Sequence, residues 1–521
     1  MGSLLLNTAS GLSSLGGALV QNLGLSAVDW LTAEDYHGPR QTELALQTST
    51  EGAPIPIVYG RMRVTGQVIW AARFNERAQT RSRSGAKGGG EETNYTYSVS
   101  FAVALCEGPI SGLGKVWANG TLLDLSTVMY RVHLGAEDQA ADPLMEAIEG
   151  LEHVPAYQGL AYIVFEDFPL DPYGQRIPNL SFEVLSAART DGAGQHMEDL
   201  IRGVCLIPAS GEFAYSETEV ARELSLGREV SENRHTFRAA SDLVAALDDL
   251  EARLPHCRSV ALVTSWFGND LRCGECEIKP GVETRDKTTR PMTWHSAGLN
   301  RATAHLVSQI ENGPAYGGTP SDETITSTIR LLKSRGYAVT LYPFILMDVP
   351  QGNELPDPYG LTEQAVYPWR GRITCFPAAD QATTVDQTPA AGSQVDAFFG
   401  QVRASDFSVS SDKVVCAGPS DWRFNRFILH HAALAAAAGG VESIIIGSEM
   451  RGLTQIRQSQ SDYPAVDHLR SLASEVRQIV GEDTKVSYAA DWSEYSGHAP
   501  SDAPGDRYFH LDPLWGSDDI D

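Results

Sequence analysis

The chain has 521 residues, which at about 100–200 residues per domain suggests three or four domains. Its 40 Lys and Arg face 66 Asp and Glu, a formal net charge of −26. That balance repels nucleic-acid phosphates and anionic lipid, and it argues against sequence-specific nucleic-acid binding. Seven scattered cysteines form no disulfide framework and fit assembly in a reducing compartment.

The first 28 residues hold no Asp, Glu, Lys or Arg and alternate Leu and Val with Gly, Ser and Ala. A signal peptide needs a positive start, which is missing, and Asn7, Thr8, Gln21 and Asn22 weaken a membrane span. Residues 1–35 read as an interaction arm, with a disordered or surface-docked terminus as the alternative. Residues 36–190 carry β signals. Short strands at 54–60 and 66–71 are split by glycines, and 95–104 returns as the far side of a long hairpin. The excursion at 77–92 is polar, glycine-rich and flexible in character. Residues 112–123 read as a tight hairpin turning at Asn119-Gly120. Gly114-Lys115 lacks the glycine spacing and the Ser/Thr of a phosphate loop. Strands at 160–165 and 180–184 close a unit with no nucleophile–base pair.

Residues 191–256 read as a helical linker region, with Leu243, Leu247, Leu250 and Leu254 at helical spacing. Residues 258–266 read as the first strand of the second half. Cys273-Gly274-Glu275-Cys276 is a lone CxxC, weak support for zinc, so no metal or other cofactor is expected. A helix capped by Ser321 leads to a strand over 338–347 that ends at Asp348, although Pro343 is awkward inside a strand. Residues 350–419 form a long loop over the strand ends. The adjacent His430 and His431 point about 100° apart on a helix and cannot share a site. Ile444-Ile445-Ile446, between two helical segments, reads as a parallel strand buried on both faces, and it stops at Glu449. Glu449 reads either as an acid or base at a strand end or as a helix-terminal carboxylate paired with Arg451. A further strand at 485–490 leads to Asp491-Trp492-Ser493-Glu494.

Several long segments carry a resemblance. Pro54-Ile-Pro-Ile-Val-Tyr-Gly-Arg-Met-Arg-Val, Cys106-Glu-Gly-Pro-Ile-Ser-Gly-Leu and Ile177-Pro-Asn-Leu-Ser-Phe-Glu-Val resemble the amino-terminal part of tail-tip hub proteins of long-tailed phages. Within that group they are similar to the large baseplate protein of gene transfer agents. Trp266-Phe-Gly-Asn-Asp-Leu-Arg, Tyr367-Pro-Trp-Arg-Gly-Arg-Ile-Thr, Ile446-Gly-Ser-Glu-Met-Arg-Gly-Leu and Tyr488-Ala-Ala-Asp-Trp-Ser-Glu-Tyr resemble its glycoside-hydrolase-like TIM-barrel domain. The resemblance implies a multidomain α+β chain: a β-rich hub domain, then at 257–521 the front part of an α/β TIM barrel. About four strand–helix units are countable, where a barrel has eight.

Glycosidases use two carboxyl groups. The strand-end candidates are Glu449, Asp491 and Glu494 for catalysis, with Asp348 and Asp512 beside them. Trp266, Trp369, Trp492 and Trp515 are candidates for stacking on sugar, and Asp348, Arg451 and Asp512 for binding it. In TIM-barrel glycosidases of the resembled kind the acid/base follows the fourth strand; by the count above Glu449 follows the third and Asp491 and Glu494 the fourth. The fold therefore transfers more safely than the activity. The expected role is a structural hub at the tail tip of a virion, a homotrimer joining the tail tube and other hub proteins to fibre or receptor-binding parts, with an acidic DNA exit path. The alternatives are a glycosidase acting on host cell-wall or capsule glycans and a non-catalytic carbohydrate-binding module.

Overall fold

A computed structural model describes residues 36–37 and 54–521, apart from 73, 83–90, 151–152, 187–196, 208–209, 226, 312 and 411–412. The arm expected at 1–35 and the glycine-rich tip of the 77–92 excursion lie outside the described residues. The chain divides into two units, Met1–Arg189 and Thr190–Asp521. No helix among the described residues is long and apolar enough to cross a membrane.

The first unit is built on one long strand, Glu91–Glu107. It pairs with Asn75–Ser82 and Gln67–Ala71 on one side of its course and with Leu160–Pro169 on the other, so 77–82 is strand, not a flexible excursion. A second sheet runs Gly60–Thr65, Leu180–Ser186, Gly112–Ala118, Thr121–Leu122. Strand alternation explains the burial: Val99, Phe101, Val103 and Leu105 join Val116, Phe182 and Val184 in one core. The intervening Ala102 faces a second core with Met145, Tyr162 and Val164, under the helix Pro143–Glu149. The chain crosses from the second sheet to the first at Gly66. A Cβ there would stand 2.2 Å from Val103 Cγ1, so the crossing admits only glycine. The expected hairpin turns at Asn119 and Gly120, both with positive φ, as a two-residue turn between twisted strands requires.

The second unit holds five parallel strands in sequential order. They are β1 (Gly203–Leu206), β2 (Ser259–Gly268), β3 (Ala338–Met347), β4 (Ser443–Ser448) and β5 (Lys485–Ala489). Among the described residues the sheet is an open arc of sequence-ordered strands, the first and the last of which do not pair with each other. The expected count was one short: β1 lies inside the segment read as a helical linker, and 259–268 is the second strand, not the first. That segment also carries the short strands Ala221–Ser225 and Arg228–Ser231. Helices follow the strands: α1 (Asp242–Arg253), α2 (Asp322–Ser334), α3 (Pro389–Phe399), α4 (Phe424–Ala437) and α5 (Pro464–Val480). The 350–419 segment is thus not all loop; it contains α3. Ser241 and Ser321 cap α1 and α2, accepting from the amides of Val244 and Thr324.

One side of the arc is core. Val339, Leu341, Ile345 and Met347 of β3 and Ile444 and Ile446 of β4 pack under the helices, while Tyr342, Phe344 and Ile445 on the opposite face are half-buried. Pro343 is tolerated because the ladder from β3 to β4 stops at Leu341. Beyond it side chains take over: Tyr342 Oη meets Ser448 Oγ at 2.6 Å. Asp521 donates its backbone N–H to Val486 at 2.8 Å on the outer edge of β5.

Asp142 makes the first unit sensitive to acid. It is fully buried, caps the helix Pro143–Glu149, and accepts from Arg131 at 2.8 Å and from His133 at 2.9 Å; Arg131 also pairs with Glu166. Burial alone would raise its pKa, but the hydrogen bonds from Arg131, His133 and the Leu144 amide bring it down to about 2. A carboxyl lowered by folding stabilises above its unfolded value, and that contribution disappears as pH falls through the folded one. Between about pH 4 and pH 2 the unit should lose about 2 kcal/mol through this group. Hydrogen exchange at the amides of Met129–His133 reads the loss, and Asp142→Asn should show a much flatter profile in that window. Equal slopes in wild type and variant would rule out this assignment.

Candidate functional site

The carboxyl ends of the five strands gather the chemistry of the second unit, as in parallel sheets generally. At the end of β4 the register with β5 shifts between Ile445 and Ser448. Glu449 then adopts φ +52°, the left-handed region that costs a non-glycine residue about 1–3 kcal/mol. Its amide donates to Ala489 O at 2.8 Å, which fixes the turn. The side chain is 39% exposed. Oε2 accepts from Trp369 Nε1 at 3.1 Å and Arg370 Nη2 at 2.8 Å. No donor among the described residues reaches Oε1.

Arg370 is buried and reaches β4 from the loop after β3. Its Nε donates to Ser448 O and its Nη2 to Ser448 Oγ, each at 2.8 Å, and its guanidinium lies 3.6 Å over the Phe344 ring. Glu449 therefore pairs with Arg370, and the expected partnership with Arg451 is not observed. Beneath it, Met450 N donates to Tyr488 Oη at 2.8 Å, and Tyr488 Oη donates to Glu494 Oε1 at 3.2 Å. Glu494 is buried and also accepts from Thr454 Oγ1 at 2.6 Å and Asp491 N at 2.7 Å. Burial raises its pKa against those hydrogen bonds. Glu494 is thus a brace behind Glu449, with no oxygen turned to solvent.

The other expected residues are placed as follows. Asp348 is buried at the end of β3, where His305 Nε2 meets it at 2.6 Å and Ser308 donates through its hydroxyl and its amide. Burial opposes ionisation there, but these bonds outweigh it and hold the carboxyl below its ordinary value. Asp491 is partly exposed, and its Oδ1 accepts from both the Ser493 amide and the Ser493 hydroxyl. Asp491 and Glu494 follow the fifth strand and Glu449 the fourth, which corrects the expected positions. Trp369 is partly exposed beside Glu449, Trp492 is 83% exposed, and Arg451 and Asp512 are exposed. Trp266 is fully buried among Trp422, Phe427 and His430, so its ring cannot stack on a sugar. Alternation along β2 turns it to the helix side, where His431 is also packed.

A groove of about 760 Å³ begins at Trp369 and Arg451 and runs between the 359–386 segment and the loop after β5. Tyr359, Arg372, Arg457 and His498 also line it. Arg457 is buried and bound to Asp386 at 2.5 Å and to Asp502 at 2.8 Å. His498 is pushed down to about 4, by burial first and then by the Arg457 cation. Gly452 lies against the backbone of Gly371, with no room for a Cβ, which holds the groove wall to β4.

Among the described residues one trio of carboxylates, Glu212, Glu232 and Glu283, is close enough to hold a cation. The buried Lys287 ammonium already occupies that position, 3.2, 2.7 and 2.6 Å from the three. The lone CxxC is buried, and burial pushes the Cys276 thiol up to about 12, a packing role rather than a ligand's.

Nothing local in the sequence marks Arg370, because its partners at 448 and 449 lie nearly eighty positions away. Arg370→Ala would leave a strand end and a carboxylate without their donor. We expect a loss of about 3–5 kcal/mol, read as a lowered denaturation midpoint, against less than about 1 kcal/mol for Trp369→Phe. Equal, small losses would show that the guanidinium is not what holds this end of β4.

Residues 422–521, from the turn before α4 through β5, match the family described as the GTA TIM-barrel-like domain. A chain of the virion of a native gene transfer agent particle is 36% identical over 36% of this chain and 41% of that one, with a TM-score of 0.23. A GH113 β-1,4-mannanase is 15% identical over 48% of this chain and 50% of its own, with a TM-score of 0.24. A GH113 β-mannanase from Alicyclobacillus acidocaldarius, in complex with ManMIm, is 14% identical over 46% of each chain, with a TM-score of 0.22. The chain spans about two fifths of the virion chain and about half of each mannanase. No curated protein matches. The matched segment includes Glu449 and the fourth and fifth strands.

Proposed function

We propose that the protein is a structural component of a phage-like particle, a tail-tip hub whose second unit turns a glycan-facing groove toward the host. The domain match at 422–521 carries this reading. The first unit supports it with Gly60–Thr65 at a sheet edge, preceded by the exposed Ile55, Ile57 and Tyr59. An unpaired edge flanked by apolar side chains is suited to joining a neighbouring subunit. The hub is a homotrimer between the tail tube, its adjoining distal tail proteins and the fibre or receptor-binding parts, and its acidic surface lines the DNA exit path without retaining DNA. The full-length protein, tagged and expressed with the other particle genes, should co-purify with tails at three copies each and cross-link to copies of itself through the first unit. Recovery only in the particle-free fraction would refute the hub.

A second reading, a glycosidase, draws on one observation: Glu449 ends the fourth parallel strand, with one oxygen free. Against it, Oε2 is already committed as an acceptor to Trp369 and a buried guanidinium, and Glu494 is spent as a brace. Glu449→Gln keeps shape and removes the ionisable group. In intact particles we expect normal assembly and undiminished release of soluble sugar from purified host envelopes. A fall of about 10²–10⁴ in release would make the protein an enzyme with Glu449 as its acid or base.

A further inference from the structure

The groove beside Glu449 is unusual for this chain in its arginines. Elsewhere in the second unit many arginines are matched with carboxylates, as Arg238 with Asp249, Arg301 with Glu212 and Arg335 with Asp248, and others, such as Arg258 and Arg423, donate to backbone carbonyls. Such matching is expected where acids outnumber bases 66 to 40. Arg372 and Arg451, which both line the groove, form no ion pair and no side-chain hydrogen bond with any described residue. Arg372 lies 4.5 Å over the Tyr359 ring, and its Nε is buried with no acceptor. Arg451 is exposed at the groove's β4 end. Gly452 packs on the backbone of Gly371 and Ile373, so the two arginines flank one rigid contact. The groove's acids do not neutralise them: Asp386 and Asp502 hold Arg457, and Asp380 accepts the Ser501 hydroxyl. Arg507 adds a further guanidinium, bonded only to the Ser496 carbonyl at 2.6 Å.

Guanidinium forks match carboxylate and phosphate oxygens, and the neighbouring Trp369 and Tyr359 faces suit a sugar ring. The volume of about 760 Å³ is that of a site for a small oligomer. Resting on the reading of this groove as glycan-facing, we propose that it takes an anionic saccharide, with Arg372 and Arg451 receiving the carboxylate or phosphate of an acidic sugar and Trp369 stacking on the adjoining ring.

The test uses the full-length protein in its particle. The probes are an oligogalacturonate, the same oligosaccharide with its carboxyls reduced to alcohols, a sugar-phosphate oligomer and inorganic phosphate alone. The acidic oligosaccharide, the phosphorylated one or both should bind at least about tenfold more tightly than the reduced form, a preference that fades with added salt. Whichever binds identifies the anion's source. Arg451→Gln should erase the preference, and Arg451→Lys should restore part of it; Arg451 is exposed and makes no ion pair or side-chain hydrogen bond among the described residues, only a longer-range attraction to Asp491, so folding is not at stake. Equal affinity for acidic and reduced forms would overturn the anionic assignment while leaving the glycan reading intact. Retention of no saccharide would overturn both. Inorganic phosphate binding as tightly as the acidic sugars would make this a free-anion site and overturn the proposal.

Discussion

The second unit depends on one buried guanidinium. Arg370 satisfies the last carbonyl of β4, the Ser448 hydroxyl and the Glu449 carboxylate at once, while stacking on Phe344 of β3. The ladder between β3 and β4 has stopped by then, so this cation, with the Tyr342–Ser448 bond, is what keeps the two strand ends together. Burying a charge costs several kcal/mol unless its hydrogen bonds are filled, and here they are filled by the very groups the site needs fixed. The left-handed turn at Glu449 is held from both sides, by Arg370 above and by the Glu494–Tyr488–Met450 chain below.

What could be read from the sequence followed the strength of the periodic signal. Ile444-Ile445-Ile446 between helices marked β4 and its end, and the Ser321 cap and Ile325, Ile329, Leu332 face marked α2. Strand β1 is hard to read because its apolar run, Val204 to Ile207, is only four residues long and is bounded by Gly203 and Pro208, and without it every later strand is displaced by one. That slip moved Glu449 off the position it occupies. Trp266 was chosen by residue type, whereas strand alternation turns it into the core. Arg370 and Arg372 were invisible because their roles come from partners or empty space brought together only by folding.

The chain's acidity is arranged locally. Most of its buried arginines are neutralised by carboxylates, which removes them from the surface field, and the remaining negative charge is spread over solvent. Against that background a patch with uncommitted guanidiniums stands out as a local inversion of sign, beside the partly exposed Trp369.

The trio of glutamates around Lys287 has a consequence for the medium in which the protein works. A pocket of three carboxylates in another chain would take a divalent ion and lose it to any chelator. Here the countercharge is covalently tethered, 2.6 to 3.2 Å from each of its partners. Leaching cannot remove it, and no added divalent ion is needed to keep it filled. The fold of that region is thereby independent of the mineral content of its surroundings.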